Sequence, residues 1–321
     1  MDGYVFGIDI GGTKIALGIL SPSLQLVARR EFPFDPSLPA GDIFALLRAQ
    51  LEGCLADASL SAAQISSIGI GVPGIIHKDG RSLKFATNAQ LLNDFPLCTA
   101  LQELFPEAQI RMENDANAAA VAESMLGAGR GFEHMLYCTI STGVGCGIIL
   151  NGRLFRGSHM AAGEIGHMIL YPGGEPCGCG SLGCAEAYAG GANYPRRIRA
   201  RIEAGEPTVM AELAQKHGRI DGRVLGEACA LGDTMALEML DEICTAMGLL
   251  FYNIYKLLNL DCYVLGGGLT NLGDPLFSGI RRHFEALRVG ADTMEPVHFL
   301  PAHFSSAEIG IYGAALVARS R

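Results

Sequence analysis

Two apolar runs, residues 4–10 and 15–20, flank the polar turn Gly11-Gly12-Thr13, and the same order returns over 135–140, 141–145 and 146–150. Short apolar runs joined by glycine-bearing turns predict β-hairpins. The second passage echoes the first, although an echo alone does not establish a duplication. Further strands are expected over 29–34, over 65–72 up to Pro73-Gly74, and over 262–265 before Gly266-Gly267-Gly268. An amphipathic helix is expected over about 42–58, an alanine-rich one over 116–126, long helices over 225–258, another ending near 287 and a small-residue helix over 309–318. Residues 154–190 read as irregular and glycine-rich. Strands and helices mixed on this scale indicate an α/β fold in two lobes.

The chain has 321 residues, 49% of them apolar, enough for one large domain or two medium ones. Its 42 glycines are about 13% of the chain, against roughly 7% in an average protein. They fall between apolar runs, so they mark turns where the main chain approaches something closely. The 24 basic and 33 acidic residues give a net charge of −9 with no basic tract, which argues against a nucleic-acid partner. The longest candidate span, 135–150, is uncharged but shorter than the roughly 20 residues a membrane span requires, and glycines interrupt it, so no membrane partner is expected. Met1 is followed at once by Asp2 and a short strand, with no secretory signal in view. A cytoplasmic location is therefore expected, with the ten cysteines as thiols or metal ligands.

Seven of those cysteines are scattered among apolar neighbours and read as core residues. Cys177, Cys179 and Cys184 instead fall within eight residues, separated by glycines that let three thiolates turn toward one point. With His167, the nearest histidine upstream, they make a Cys3His set, which zinc occupies in closed structural sites. The same stretch, 178–183, spells Gly-x-Gly-x-x-Gly, but without a preceding strand and a following helix it is not a dinucleotide fingerprint.

The turn of Asp9, Gly11, Gly12, Thr13 and Lys14 can direct backbone N–H groups at an anion, with Asp9 able to hold a hydrated Mg²⁺. Taken alone, an ordinary Gly-Gly hairpin is the simpler reading. Thr142, Gly143, Val144 and Gly145 repeat the logic, and Gly266, Gly267 and Gly268 form a third turn that could lie against an adenine or simply start a helix. Asn114-Asp115 heads the alanine-rich helix, where the simpler reading is an N-cap and the chemical one a base that accepts a hydroxyl proton. Glu164 and Glu186 flank the metal segment; singly each reads most simply as a solvated surface charge, but zinc tying His167 to the cysteine loop would bring them together as paired carboxylates, natural acceptors for sugar hydroxyls. The absence of tryptophan removes an indole platform for a sugar ring.

Glu-Ile-Gly-His (164–167) followed by Cys-Gly-Cys-Gly-Ser-Leu-Gly-Cys-Ala-Glu (177–186) resembles the hallmark of the ROK family of bacterial sugar kinases and sugar-responsive repressors. Asp-Ile-Gly-Gly-Thr-Lys (9–14), Gly-Val-Pro-Gly (71–74), Glu-Asn-Asp-Ala-Asn (113–117), Ser-Thr-Gly-Val-Gly (141–145) and Leu-Gly-Gly-Gly-Leu (265–269) occur in the family's order. The resemblance implies a two-lobed actin-like, ribonuclease H-like ATPase fold with a zinc-binding loop and with sugar and ATP in the cleft. Its small lobe is expected over 1–117 and 303–321, and its large lobe over 118–302. Asp115 is cast as the general base, with Gly74, Asn88, Asn114, Glu164, His167 and Glu186 on the sugar. Residues 7–14 and 141–148 become phosphate loops for ATP with Mg²⁺, and Gly266–Gly268 the adenosine turn. His167 would serve both sugar and structural Zn²⁺ through different ring nitrogens. Ser141 and Cys146 stand where the family usually has glycine.

Family repressors carry a DNA-binding domain before the first loop. Only eight residues precede Asp9, which favours a kinase over a repressor. Within the family, residues 11–18 and 266–271 most resemble bacterial N-acetylglucosamine kinases, and this likeness implies N-acetylglucosamine as the substrate and its 6-phosphate as the product. Glucose, N-acetylmannosamine and fructose remain alternatives, as does a sugar sensor without catalysis. A homodimer is expected from the same resemblance.

Overall fold

The computed structural model describes residues 3–86, 92–93, 95–290 and 294–319. The chain forms two compact units, the first of Met1–Glu133, Gly147–Ala162 and His303–Arg321 and the second of His134–Cys146 and Gly163–Ala302. The units divide elsewhere than after residue 117, because 118–133 and 147–162 pack with the first.

In the first unit, β1 (Tyr4–Ile10), β2 (Lys14–Leu20) and β3 (Leu26–Pro33) run antiparallel, and β4 (Ile65–Val72) and β7 (Gln109–Asn114) continue the sheet parallel to β1 in the order β3-β2-β1-β4-β7. This is the ribonuclease H-like arrangement that the family resemblance implies. A small ribbon of β5 (Ile75–Ile76) and β6 (Leu83–Phe85) lies between β4 and β7 in the chain.

Alternation along β1 sorts its side chains. Phe6, Ile8 and Ile10 enter a core with Ile43, Leu47 and Leu51 of α1 (Ala40–Asp57) and Leu97 and Leu101 of α2 (Leu97–Leu104). Val5 faces the other way, into a cluster with Ile311 and Ala315 of α10 (Ile309–Arg319). Burying such aliphatic side chains contributes roughly 1.5–3 kcal/mol each, so one residue of register slip would forfeit both faces together.

Alpha10 approaches the sheet and α3 (Asp115–Met125) backbone to backbone. A Cβ on Gly7 would collide with the Ile311 carbonyl, one on Gly69 with the Ala314 carbonyl, and one on Gly313 with the Ala118 carbonyl. Glycine at these positions of β1, β4 and α10 is therefore a packing requirement, and the contact of α10 with α3 holds 118–125 in this unit.

In the second unit β8 (Met135–Ile140), β11 (Cys262–Gly266) and β12 (His298–Pro301) are parallel, and β9 (Val144–Leu150) lies on the other side of β8. Beta9 carries the chain into residues 147–162 of the first unit, where β10 (Arg153–Leu154) pairs with its end. The otherwise irregular 154–190 stretch ends in the short helix α4 (Ala185–Ala189). Four further helices follow it: α5 (Tyr194–Glu203), α6 (Met210–His217), α7 (Gly222–Ala230) and α8 (Thr234–Leu258). The last helix of this unit is α9 (Asp274–Leu287). The helical stretch expected over 225–258 is broken by Gly232, at φ 75°, and restarted by Asp233, whose carboxylate caps Ala236 N–H. Among the described residues no helix is long and apolar enough to cross a membrane.

Candidate active site

Beta1 ends at Asp9-Ile10 and the first turn closes through Gly11 N–H to the Lys14 carbonyl at 2.9 Å. Burial pushes the Asp9 carboxyl up to about 7; the neighbouring Asp115 charge adds to this and Lys14 opposes it. Two carboxylates so placed favour a cation beside them. Asp9 fits closely under the start of α10, where a Cβ on Gly310 would strike its carboxylate. Gly12, Thr13 and Lys14 are exposed on the turn.

Beta7 delivers the chain directly into α3. Asn114 is the N-cap, its side chain accepting from Asn117 N–H at 3.1 Å, so capping does not fall to Asp115. Asp115 is the first helical residue, exposed, with Oδ1 accepting from Ala116 N–H at 2.8 Å. A carboxylate here sits at the positive end of the helix dipole. Asn114 Nδ2 donates to the Gly74 carbonyl at 3.2 Å, which brings together two residues that the sequence reading groups on one ligand. Asn88 lies outside the described residues.

The second turn closes through Ser141 N–H to the Gly143 carbonyl at 2.9 Å. Segment 186–192 braces it: Gly191 and Ala192 N–H groups donate to the Ser141 and Thr142 carbonyls at 2.7 and 3.0 Å, and Val144 N–H donates to Glu186 Oε2 at 2.9 Å. Cys146, where the family usually has glycine, is buried in β9, and burial raises its thiol pKa well above the ordinary value. Gly166 packs so tightly under β9 that a Cβ would strike the Val144 carbonyl, which fixes the turn carrying His167 and the adjacent, exposed Glu164.

The metal segment converges as the spacing predicts. Tetrahedral zinc with Zn–S bonds near 2.3 Å sets its sulfurs about 3.8 Å apart. Here Cys179 and Cys184 Sγ are 3.7 Å apart, His167 Nδ1 is 3.7 Å from Cys177 Sγ, and all four ligand atoms lie within 4.8 Å of one another. The thiols pull apart in acidity. The Ser181 N–H draws Cys179 down to about 7, while burial and the adjoining thiols push Cys184 up to about 12. Three crowded thiols that cannot ionise alike are a donor set that a zinc ion would satisfy. Nδ1 of His167 faces the sulfurs, leaving Nε2 for a second partner.

The third turn is held by close packing. Gly267 adopts φ 90°, with the Ile140 carbonyl oxygen 2.5 Å from where a Cβ would stand, so only glycine fits. Gly266 meets the Tyr137 ring in the same way, and Gly268 opens onto a cavity of about 910 Å³. Its walls include Thr142, Arg219, Asp221 and Glu227, with Leu269 and Leu272 on the apolar side. That size lies in the range of small-molecule and cofactor sites.

A family model described as the ROK family matches residues 5–321. The chain belongs to the ROK family. A relative named glucokinase, from Halalkalibacterium halodurans, is 34% identical over 286 residues, 89% of this chain and 86% of that protein. A protein named N-acetylmannosamine kinase, from Shigella boydii, is 32% identical over 317 residues, 97% of each chain. The solved ROK glucokinase of Streptomyces griseus, in complex with glucose and AMPPNP, is 31% identical, with 99% of each chain covered and a TM-score of 0.81.

Beyond the motifs, the structure adds residues that the sequence reading passed over. The cavity wall over 219–230 and 269–275 carries no local signature, because it forms only when separated segments pack together. Glu113 stands in the 113–117 motif without a role, and only its burial beside the head of α3 singles it out; Gly310, against Asp9, is likewise visible only in three dimensions.

Proposed function

We propose that this protein is an ATP-dependent sugar kinase that transfers the γ-phosphoryl group to the 6-hydroxyl of a hexose or N-acetylhexosamine, with N-acetylglucosamine preferred. The observation that carries the reading is Asp115: an exposed carboxylate at the head of α3, relieved of capping by Asn114 and adjacent in charge to Asp9, within a chain of the ROK family. The likeness of residues 11–18 and 266–271 to N-acetylglucosamine kinases favours the N-acetylated sugar. The kinases named above for glucose and N-acetylmannosamine support the wider class.

In this reading Asp115 accepts the proton of the sugar hydroxyl as that oxygen bonds to the γ-phosphorus and the bond from phosphorus to the leaving ADP oxygen breaks. Positioning and charge stabilisation supply most of the rate, since phosphoryl transfer asks little covalent chemistry of the protein. In the first unit, Gly11, Gly12, Thr13 and Lys14 offer donors to phosphate, and Asp9 is suited to a hydrated magnesium ion. Gly74, Asn88 and Asn114 contribute to sugar recognition. In the second unit, Thr142, Gly143, Val144 and Gly145 offer a second set of donors, the cavity opening at Gly266–Gly268 takes adenosine, and Glu164, His167 and Glu186 receive sugar hydroxyls. Magnesium bound with the nucleotide would neutralise phosphate charge. Zinc held by His167, Cys177, Cys179 and Cys184 would lock the loop that ends at Glu186.

A coupled ADP-release assay with N-acetylglucosamine, glucose, N-acetylmannosamine and fructose tests the proposal. The expected result is sugar-dependent ADP formation with the highest kcat/KM for N-acetylglucosamine. A higher value for another sugar would reassign the substrate within the class. Measurable sugar binding with no ADP release would replace the kinase with a sensor.

A further inference from the structure

We propose that Glu113 and Arg156 are positioning residues for the base Asp115; the inference rests on the kinase reading and goes beyond it. Glu113 is the penultimate residue of β7, in register with Gly71 of β4, so the sheet fixes its backbone. Its side chain is only 3% exposed, yet its bonds are all polar. Oε1 accepts from Asn114 N–H and from Asn117 Nδ2, both at 3.0 Å, and Oε2 accepts from Arg156 Nε at 2.6 Å. A carboxylate this deep is tolerated when its charge is paired and its lone pairs are bonded. Arg156 supplies the pairing from the loop after β10, and its carbonyl is held by Ala162 N–H at 3.2 Å.

The bonds converge on the residues that bracket the base. One oxygen of Glu113 ties the residue before Asp115 to the residue two positions after it, which sets the angle at which the chain enters α3. Asn117 is turned to serve this bond even though its Oδ1 is then buried without a partner among the described residues. Without the Arg156 charge, Glu113 becomes an uncompensated buried carboxylate that must take up a proton or swing toward water. Protonation weakens Oε1 as an acceptor, and a swing toward water releases the Asn114 N–H and the Asn117 amide; in both cases the first turn of α3 loosens under Asp115. Displacing a reacting group by about 1 Å costs up to roughly 100-fold in rate.

The test is steady-state kinetics, with thermal melting alongside, on wild type, Arg156→Gln, Arg156→Lys and the double variant Glu113→Gln/Arg156→Gln. Arg156→Gln should lower kcat by about 10- to 100-fold with the KM for ATP within about twofold of wild type. The double variant, which removes both charges and keeps hydrogen-bonding groups, should recover at least about fivefold of that loss. Arg156→Lys should fall between wild type and Arg156→Gln. A kcat within about twofold of wild type in Arg156→Gln, or a double variant no better than the single one, would overturn the proposal. If Arg156→Gln does not fold, Arg156→Lys decides: an unaltered kcat overturns the proposal, and a reduced kcat at unchanged melting temperature supports it. Wild-type protein without sugar-dependent ADP release would bring down the kinase reading and this inference with it, whereas active wild type with indifferent variants overturns this inference alone.

Discussion

The two glycine hairpins follow one plan and are held in different ways. Both join apolar strands through a turn closed by one backbone hydrogen bond of 2.9 Å. Around Gly11-Gly12 the further support is modest: Phe34 N–H to the Thr13 carbonyl at 2.9 Å, and an exposed ion pair of Lys14 with Glu31 at 3.2 Å. Around Gly143 the turn is clasped by Glu186, Gly191 and Ala192, all a few residues beyond the cysteine cluster. The first turn is thus shaped by its own hairpin, and the second by the neighbouring segment 186–192, which follows directly on the cysteine cluster. The same sequence motif has been built once as a self-sufficient element and once as a dependent one.

Asp115 belongs to neither turn and sets the ceiling against which they are compared. Asp115→Asn keeps size and hydrogen-bonding capacity but loses the base, so kcat should fall by about 10²- to 10⁴-fold with sugar affinity largely kept. Steady-state ADP release and sugar titration check it. A variant with near wild-type turnover would remove Asp115 from that role.

Next in size is loss of the metal. Cys184 is buried at the head of α4, so Cys184→Ser, or chelation of the wild type, should release zinc and lower kcat/KM for the sugar by about 10- to 100-fold. The comparison predicts where the damage goes: limited proteolysis should open 171–192, while the first hairpin stays protected. Elemental analysis of protein purified without chelator gives the starting occupancy. Equal loosening of both hairpins would show that the second turn does not depend on the metal loop in the way described.

Much of this contrast was legible in the sequence, and its limits have physical causes. The hairpin strands announce themselves because they are buried on both faces, and Cys177, Cys179, Cys184 and His167 because ligand chemistry demands close spacing. Beta7 was missed because Gln-Ile-Arg-Met-Glu-Asn alternates over only six residues, and β12 because it has four. Helices α5 and α6 expose charged faces and bury only Tyr194, Pro195, Ile198 and Met210, too few for a clear stripe. The break at Gly232-Asp233 is a turn signal that a longer apolar rhythm concealed. The bond from Arg156 to Glu113 spans 43 positions, and nothing local to either residue indicates the other.

A smaller effect separates the turns by one methyl group. A Cβ at Gly143 would collide with Glu186 Oε2, the atom that accepts from Val144 N–H, whereas one at Gly11 would meet only the Lys14 carbonyl oxygen, at 3.2 Å. Gly143→Ala should therefore cost about tenfold in kcat/KM for ATP and Gly11→Ala only a few-fold. Parallel kinetics on the pair, with far-ultraviolet circular dichroism to confirm folding, measure the difference. If Gly11→Ala proves the more damaging, the dependence on Glu186 is not what limits the second turn.

The smallest effect is expected where the first turn meets solvent. Lys14 and Arg29 both donate to Glu31, at 3.2 and 2.7 Å, and Lys14 and Glu31 are nearly half exposed. The hydrogen bond from Lys14, followed by the Lys14 charge and then Arg29, holds the Glu31 carboxyl below its ordinary range. A carboxyl so depressed contributes stability above its unfolded pKa and loses it as the pH falls through the folded value. Such exposed pairs are screened by salt and add little. Glu31→Gln should accordingly melt slightly below wild type at neutral pH and low salt. The two melting curves should merge in acid or in high salt, and the KM for ATP should stay within about twofold. Melting followed from neutral pH into acid checks the sign. A gap that persists in acid, or a large shift in the KM for ATP, would mean that the first turn leans on Glu31 as firmly as the second leans on Glu186, and the contrast between a self-sufficient and a dependent hairpin would not stand.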